Sequence, residues 1–174
     1  MQAWNRMLRW GVEFLLALAL AALIVLFVYQ PAKVEGTSMM PALVDSERLF
    51  INRFLYRIGV AEAQRGDVVV FAAPDAPAKS YIKRIIGMPG DTVEIRGGEV
   101  WLNAQRLEEP YVPDEYRDKS RLAPVRVPPG CYFVMGDHRS ASNDSRVWGP
   151  VSGTSIYGKA VFAYWPPERV GTLR

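Results

Sequence analysis

Thr92-Val93-Glu94-Ile95-Arg96-Gly97-Gly98-Glu99-Val100-Trp101-Leu102 is the stretch on which the fold turns. Two short runs, 92–96 and 99–102, meet across a pair of glycines that both tolerate positive φ, as a two-residue hairpin turn requires. Working outward, similar apolar runs recur at 48–52, 67–71, 131–135 and 158–165. Beyond Lys33 no segment carries sustained helical periodicity, and the only helical pattern is a short, weak one over 53–63. The chain therefore reads as mainly β. Two stretches read as loops: the Ala- and Pro-rich 72–79, and a polar excursion over 108–126 with charges of mixed sign.

The N-terminus is of another kind. Sixteen residues from Phe14 to Tyr29 carry no charge, slightly fewer than the roughly 20 a spanning helix wants. Trp10 and Tyr29 lie nineteen steps apart, about 28 Å along a helix, which suits aromatic side chains at the two faces of a bilayer. Pro31 is the expected stop. A cleaved leader would begin in the same way, but Tyr29-Gln30-Pro31-Ala32-Lys33 is a poor cleavage site. The expectation is thus one uncleaved transmembrane helix. Arg6 and Arg9 precede it, while Lys33 follows and is offset by Glu35, so the N-terminus is expected in the cytoplasm and the rest outside.

Composition narrows the functions. Net charge is only +3, with sixteen arginines against five lysines and no dense basic run, which excludes nucleic acid as the natural partner. The mild excess suits anionic lipid headgroups. Cys131 is the only cysteine and His138 the only histidine, so neither a disulfide nor a zinc site is expected. Cys131 begins an apolar strand and is expected to be a small buried hydrophobe. No phosphate-cradling glycine loop appears.

Three blocks carry the chemistry: Gly36-Thr37-Ser38-Met39-Met40-Pro41, then Tyr81-Ile82-Lys83-Arg84, then Gly136-Asp137-His138-Arg139-Ser140-Ala141-Ser142-Asn143-Asp144-Ser145-Arg146. A serine needs a base to become a nucleophile. A lysine serves only when neutral, which burial or a nearby cation achieves. On a strand, Tyr81, Lys83 and Ile85 share one face, so Lys83 has an aromatic ring and an isoleucine beside it, and Arg84 points away. On residue types alone, Ser38, His138 and Asp144 form a competing triad.

In this order, behind an N-terminal anchor, the blocks resemble the bacterial type I signal peptidases, a family of Ser–Lys endopeptidases that trim exported proteins. The resemblance implies antiparallel sheets in a coiled, barrel-like catalytic domain over 32–174, preceded by the anchor at 1–31 and interrupted by a compact inserted β segment at about 97–127. It implies Ser38 as nucleophile and Lys83 as general base. Ser142 is expected to hydrogen-bond the lysine amine, and Asp144 and Arg146 to form a buried ion pair holding their loop. The Ser38 N–H is the expected first oxyanion donor. Gly36 stands where some members carry a serine hydroxyl, leaving a backbone N–H near Gly36 or a water as the second. Val34, Met39, Leu43, Val70, Tyr81 and Ile82 are expected around two shallow apolar pockets that accept alanine at positions −1 and −3 of an extended preprotein segment. Met39 and Met40 have two further readings, as plain core or as a seat in lipid. His138 stands where relatives carry Asn.

The partners implied are exported preproteins and membrane lipid, at the plasma or inner membrane, with no metal or cofactor. Two other readings are a Ser–Lys self-cleaving regulator and a non-enzymatic, membrane-tethered β-module. Ala76-Pro77-Ala78 is itself a small-x-small pattern, which makes the 72–79 loop a candidate site of cleavage by a second molecule.

Overall fold

In a computed structural model the chain is described over residues 2–53, 63–76 and 78–173. Most of the weak helical pattern at 53–63 lies outside these, as does Pro77 in the 72–79 loop. Helix α1 (Gln2–Val28) passes without a break into strand β1 (Tyr29–Lys33), so Pro31 sits inside a strand instead of ending a helix. That is possible because β1 pairs only with β2 (Arg48–Asn52) and lies at the edge of its sheet, where a missing N–H costs no ladder bond. Within α1, side chains are described at 6–7, 9–22 and 28, and those at 9–22 are exposed, Trp10, Phe14, Leu15 and Leu16 among them. Among the described residues no helix is long and apolar enough to cross a membrane.

The remaining strands are β3 (Val68–Ala72), β4 (Ser80–Gly87), β5 (Thr92–Arg96), β6 (Glu99–Leu102), β7 (Gln105–Arg106), β8 (Leu122–Arg126), β9 (Cys131–Met135), β10 (Val151–Ser152), β11 (Ile156–Trp165) and β12 (Gly171–Thr172), with one short helix α2 (Ser145–Trp148). All pairings are antiparallel. The larger sheet runs β1-β2-β11-β3-β4-β9-β10, with β12 against β11, and curls into a half-barrel. Register shifts along β11, which pairs β2 with one half and β3 with the other, increase the twist. The second sheet, β7-β6-β5-β8, spans 92–126 and thus takes in the whole 92–102 hairpin. Gly97 (φ +59°) and Gly98 (φ +91°) make its turn.

Strand β3 shows why the sheet curls around two cores. Its first four residues are buried, and alternation sends Val68 and Val70 to one side and Val69 and Phe71 to the other. The first pair packs with Val34, Met39, Leu43, Leu49 and Ile51. The second packs with Ile85, Val134 and Ile156. A third cluster, including Ile86, Val93, Val100, Phe133 and Met135, joins the two sheets. Cys131 is half-buried at the rim of that cluster instead of fully buried.

Candidate active site

Ser38 lies in the connection between β1 and β2, and backbone bonds close that connection at its neck. The Val34 N–H donates to Glu47 O at 2.8 Å, and the Ser46 N–H donates to Val34 O at 2.9 Å. Gly36, at φ +91°, donates its N–H to Asp45 Oδ1 at 2.7 Å. Past the serine the chain coils once, the Leu43 N–H reaching Met39 O at 2.8 Å. Met39 and Leu43 are buried beneath this turn. A short polar residue next to a buried anchor is thereby held up at the surface of the apolar core.

Lys83 comes from β4. Its backbone pairs with Val69, its side chain is only 4% exposed, and its Nζ lies 2.7 Å from Ser38 Oγ. The amine also donates to Ile82 O at 3.0 Å and lies 5.6 Å from the centre of the Tyr81 ring. Burial pushes the lysine pKa down to about 8; Asp144 and Asp137 pull the other way, and Arg146 adds a small further lowering. The serine's partner is therefore an amine held well below its ordinary pKa by burial.

The third block wraps this pair from the opposite side. Gly136 lets it come close: a Cβ there would stand 2.3 Å from Ser142 Oγ and 2.4 Å from Ser38 O. The His138 N–H donates to Ser38 O at 3.1 Å, and His138 Nδ1 lies 3.1 Å from Thr37 O. The imidazole thus meets the main chain beside Ser38 and the ring of Tyr116, while Ser38 Oγ faces Lys83. This geometry gives no support to a Ser–His–Asp triad.

Asp144 is fully buried and accepts from the Gly136 N–H and from Arg146 Nε and Nη2. Burial alone would raise its pKa; the Arg146 guanidinium and the Gly136 N–H outweigh this and hold the carboxyl below its ordinary value. Ser142 Oγ is buried without a hydrogen-bond partner, so the expected bond to the lysine amine is not made. The hydroxyl contributes only weakly to holding the Asp144 carboxyl down, since the two do not meet at hydrogen-bond geometry.

Two further buried ion pairs escaped the sequence reading. Arg84 does point away from the Lys83 face, and there it forks onto Asp137 at 2.9 and 2.6 Å. Arg139 forks onto Glu109, from the stretch read as a polar excursion. A signal existed for the first: a charged residue amid the apolar run of β4 must find an opposite charge when both faces are covered.

Val34, Val70, Tyr81 and Ile82 line an open groove of about 720 Å³, and Ser38 and Lys83 line it too. Met39 and Leu43 do not line it; they lie beneath it in the core. One wall is β1 with Val34 and Glu35, and the other is the start of β4. The wall of β4 has a free edge, because β9 pairs with that strand only from Arg84 onward.

A serine hydroxyl against a desolvated amine, in a groove between two strands, is the arrangement of a hydrolase working on an extended chain. Comparison with known proteins places it further. Residues 7–165 match the family described as "Signal peptidase, peptidase S26". The signal peptidase I of Bacillus amyloliquefaciens is 40% identical, covering 93% of this chain and 87% of that protein. A probable signal peptidase I of Synechocystis is 39% identical over 91% of this chain. The crystal structure of a signal peptidase I from Enterococcus faecalis V583 aligns at TM-score 0.51 and 31% identity, covering 57% of this chain and 97% of that one. The chain belongs to the signal peptidase S26 family of serine peptidases, and the resemblance read from its motifs is borne out.

Proposed function

We propose that the protein is a membrane-anchored endopeptidase that cuts signal peptides from exported preproteins after small-x-small sites, with Ser38 as nucleophile and Lys83 as general base. The observation that carries this reading is the 2.7 Å approach of Lys83 Nζ to Ser38 Oγ inside a desolvated pocket. The neutral amine takes the hydroxyl proton as Oγ attacks the scissile carbonyl. The resulting ammonium gives that proton to the leaving amine as the C–N bond breaks. Water then hydrolyses the acyl-serine ester with the same lysine as base. The Ser38 N–H is assigned to the oxyanion; the Gly36 N–H is held by Asp45, so the second donor is another N–H near Gly36 or a water. Ser142, whose buried hydroxyl makes no hydrogen bond in this structure, is assigned to orient the amine when substrate is bound, and the Asp144–Arg146 pair to hold its loop. No metal or cofactor enters the scheme.

The substrate lies extended between β1 and the free edge of β4, its small side chains against Val34, Val70, Tyr81 and Ile82. Larger side chains are rejected by clash. The anchor is assigned to α1, which is 27 residues long and carries the uncharged run 14–29 almost entirely within it. With Arg6 and Arg9 inside, the catalytic domain stands outside the plasma membrane, against lipid.

The test is processing of a preprotein followed by sequencing of the new N-terminus. Ser38→Ala and Lys83→Ala should each be inactive while melting as cooperatively as wild type. His138→Asn, which keeps a hydrogen-bonding side chain toward Thr37, should retain most activity. A dead His138→Asn beside a live Lys83→Ala would overturn the lysine mechanism.

A further inference from the structure

The nucleophile's turn is held from two sides, and only one of the two clamps belongs to the motifs. On one side the third block reaches Thr37 and Ser38 through His138. On the other, Arg169 arrives from a 3-10 turn (Pro167–Arg169) after β11. Its Nη2 donates to both Pro41 O and Ala42 O, each at 2.9 Å. Its Nε donates to Glu47 Oε2 at 3.3 Å. Glu47 is buried, and the same oxygen accepts the Val44 N–H at 2.8 Å. Among the described residues, no backbone N–H takes up the Pro41 or Ala42 carbonyl. The guanidinium therefore caps the carbonyl end of a single turn whose opposite end carries Ser38.

Arg169 lies beyond residue 165, where the family match ends. The turn it caps has few other supports: its neck at Val34 and Glu47, and the buried Met39 and Leu43. Nη2 on the two carbonyls and Nε on Glu47 are donors of one rigid plane, so together they fix orientation as well as position, which a point charge cannot do. We propose that Arg169 is a positioning residue for the nucleophile, holding the 38–43 turn so that Ser38 Oγ stays against the Lys83 amine. The proposal rests on the assignment of Ser38 and Lys83 above.

Positioning leaves a signature distinct from simple loss of structure. When the turn is free to drift, Ser38 leaves Lys83 and the pocket admits water. The attack then slows, and the lysine pKa rises toward its ordinary value. The experiment uses the full-length enzyme in detergent with a signal-peptide substrate, measuring kcat, KM, pH dependence and melting for Arg169→Gln, Arg169→Lys, Glu168→Gln and Ser38→Ala. Arg169→Gln should lose about tenfold or more in kcat with KM within about twofold, and its ascending pH limb should move up by about half a unit or more. Arg169→Lys, which keeps one cationic nitrogen for the carbonyls but loses the separate Nε donor to Glu47, should recover part of the loss and part of the shift. Glu168→Gln, at an exposed neighbour, should behave as wild type.

Wild-type kcat and pH profile in Arg169→Gln would overturn the inference. So would a loss carried by KM, or one that tracks the unfolded fraction with no change of pH limb. If Arg169→Gln does not fold, Arg169→Lys decides alone: wild-type kcat with an unmoved limb again overturns the proposal. An active Ser38→Ala would instead bring down the assignment of the nucleophile, whatever Arg169 does.

Discussion

Lysine ordinarily stays charged beyond pH 10, yet burial brings Lys83 to about 8. As the proposed base, Lys83 must be neutral to act, so kcat/KM on a soluble peptide should rise with pH through about 8 and level off above. Asp144 raises that pKa, so Asp144→Asn should move the ascending limb to lower pH. It should also leave the Arg146 guanidinium with Asp118 as its remaining carboxylate, so stability should fall by less than the cost of breaking a buried pair outright, about 3–5 kcal/mol; a limb that moves upward would contradict the electrostatic argument. The same burial works against the fold. Between about pH 8 and 10.5 the unfolded chain holds a proton that the native chain has lost, so stability rises with pH across that window. Below it, the buried ammonium costs the native state about 3 kcal/mol at most. Lys83→Met should therefore be inactive but more stable than wild type at pH 7, with the advantage fading toward pH 10.5, as denaturant titration at the two pH values would report. Ser38 and Lys83 were legible because each sits inside a short block of distinctive letters. Asp137, Glu109 and Arg169 were not, because each matters only through a partner at least thirty residues away.

Strands that carry apolar runs between clear breakers were read to within a residue or two, β2, β5, β6 and β9 among them. Those with proline were missed, β1 with Pro31 and β8 with Pro124. Both lie at sheet edges, where half the backbone needs no partner and alternation is not enforced. The 72–79 loop joins β3 to β4, as read. It is tied by three backbone bonds, Ala76 N–H to Ala73 O, Lys79 N–H to Ala76 O and Ala73 N–H to Lys79 O. A bound substrate must be extended, so cleavage after Ala78 would require this turn to open first. The element that tolerates least is the approach of the third block to the nucleophile. Gly136→Ala would drive a methyl to within 2.4 Å of both Ser142 Oγ and Ser38 O. One of the two segments must move, and activity should fall by about a hundredfold or more with a clear loss of melting temperature. Gly98→Ala clashes as hard with the Asp118 backbone but lies in the second sheet, so it should lower stability with kcat retained in the folded fraction.

In the molecule as a whole, no linker separates α1 from β1: Val28 ends the helix and Tyr29 opens the strand. β1 is also a wall of the groove, through Gln30, Pro31, Ala32 and Lys33. If α1 is the membrane anchor, the groove's height above the bilayer is set by covalent continuity, within the few ångströms that one residue spans. A preprotein held by its own apolar helix in the same membrane then presents its cleavage site at a matching height, and much of the orientational cost of meeting the groove is met in advance. Lengthening the junction should separate the two kinds of substrate. Four Gly-Ser residues inserted between Val28 and Tyr29 leave the β1–β2 register and the Ser38–Lys83 contact untouched. They allow the catalytic domain to rise and tumble over roughly 10 Å. Cleavage of a short soluble peptide should stay within twofold of wild type, while processing of a membrane-inserted preprotein should fall by about tenfold. Equal loss on both substrates would mean that the insertion had disturbed β1 itself. Equal retention would mean that height above the membrane contributes nothing, and that the groove finds its substrate by diffusion alone.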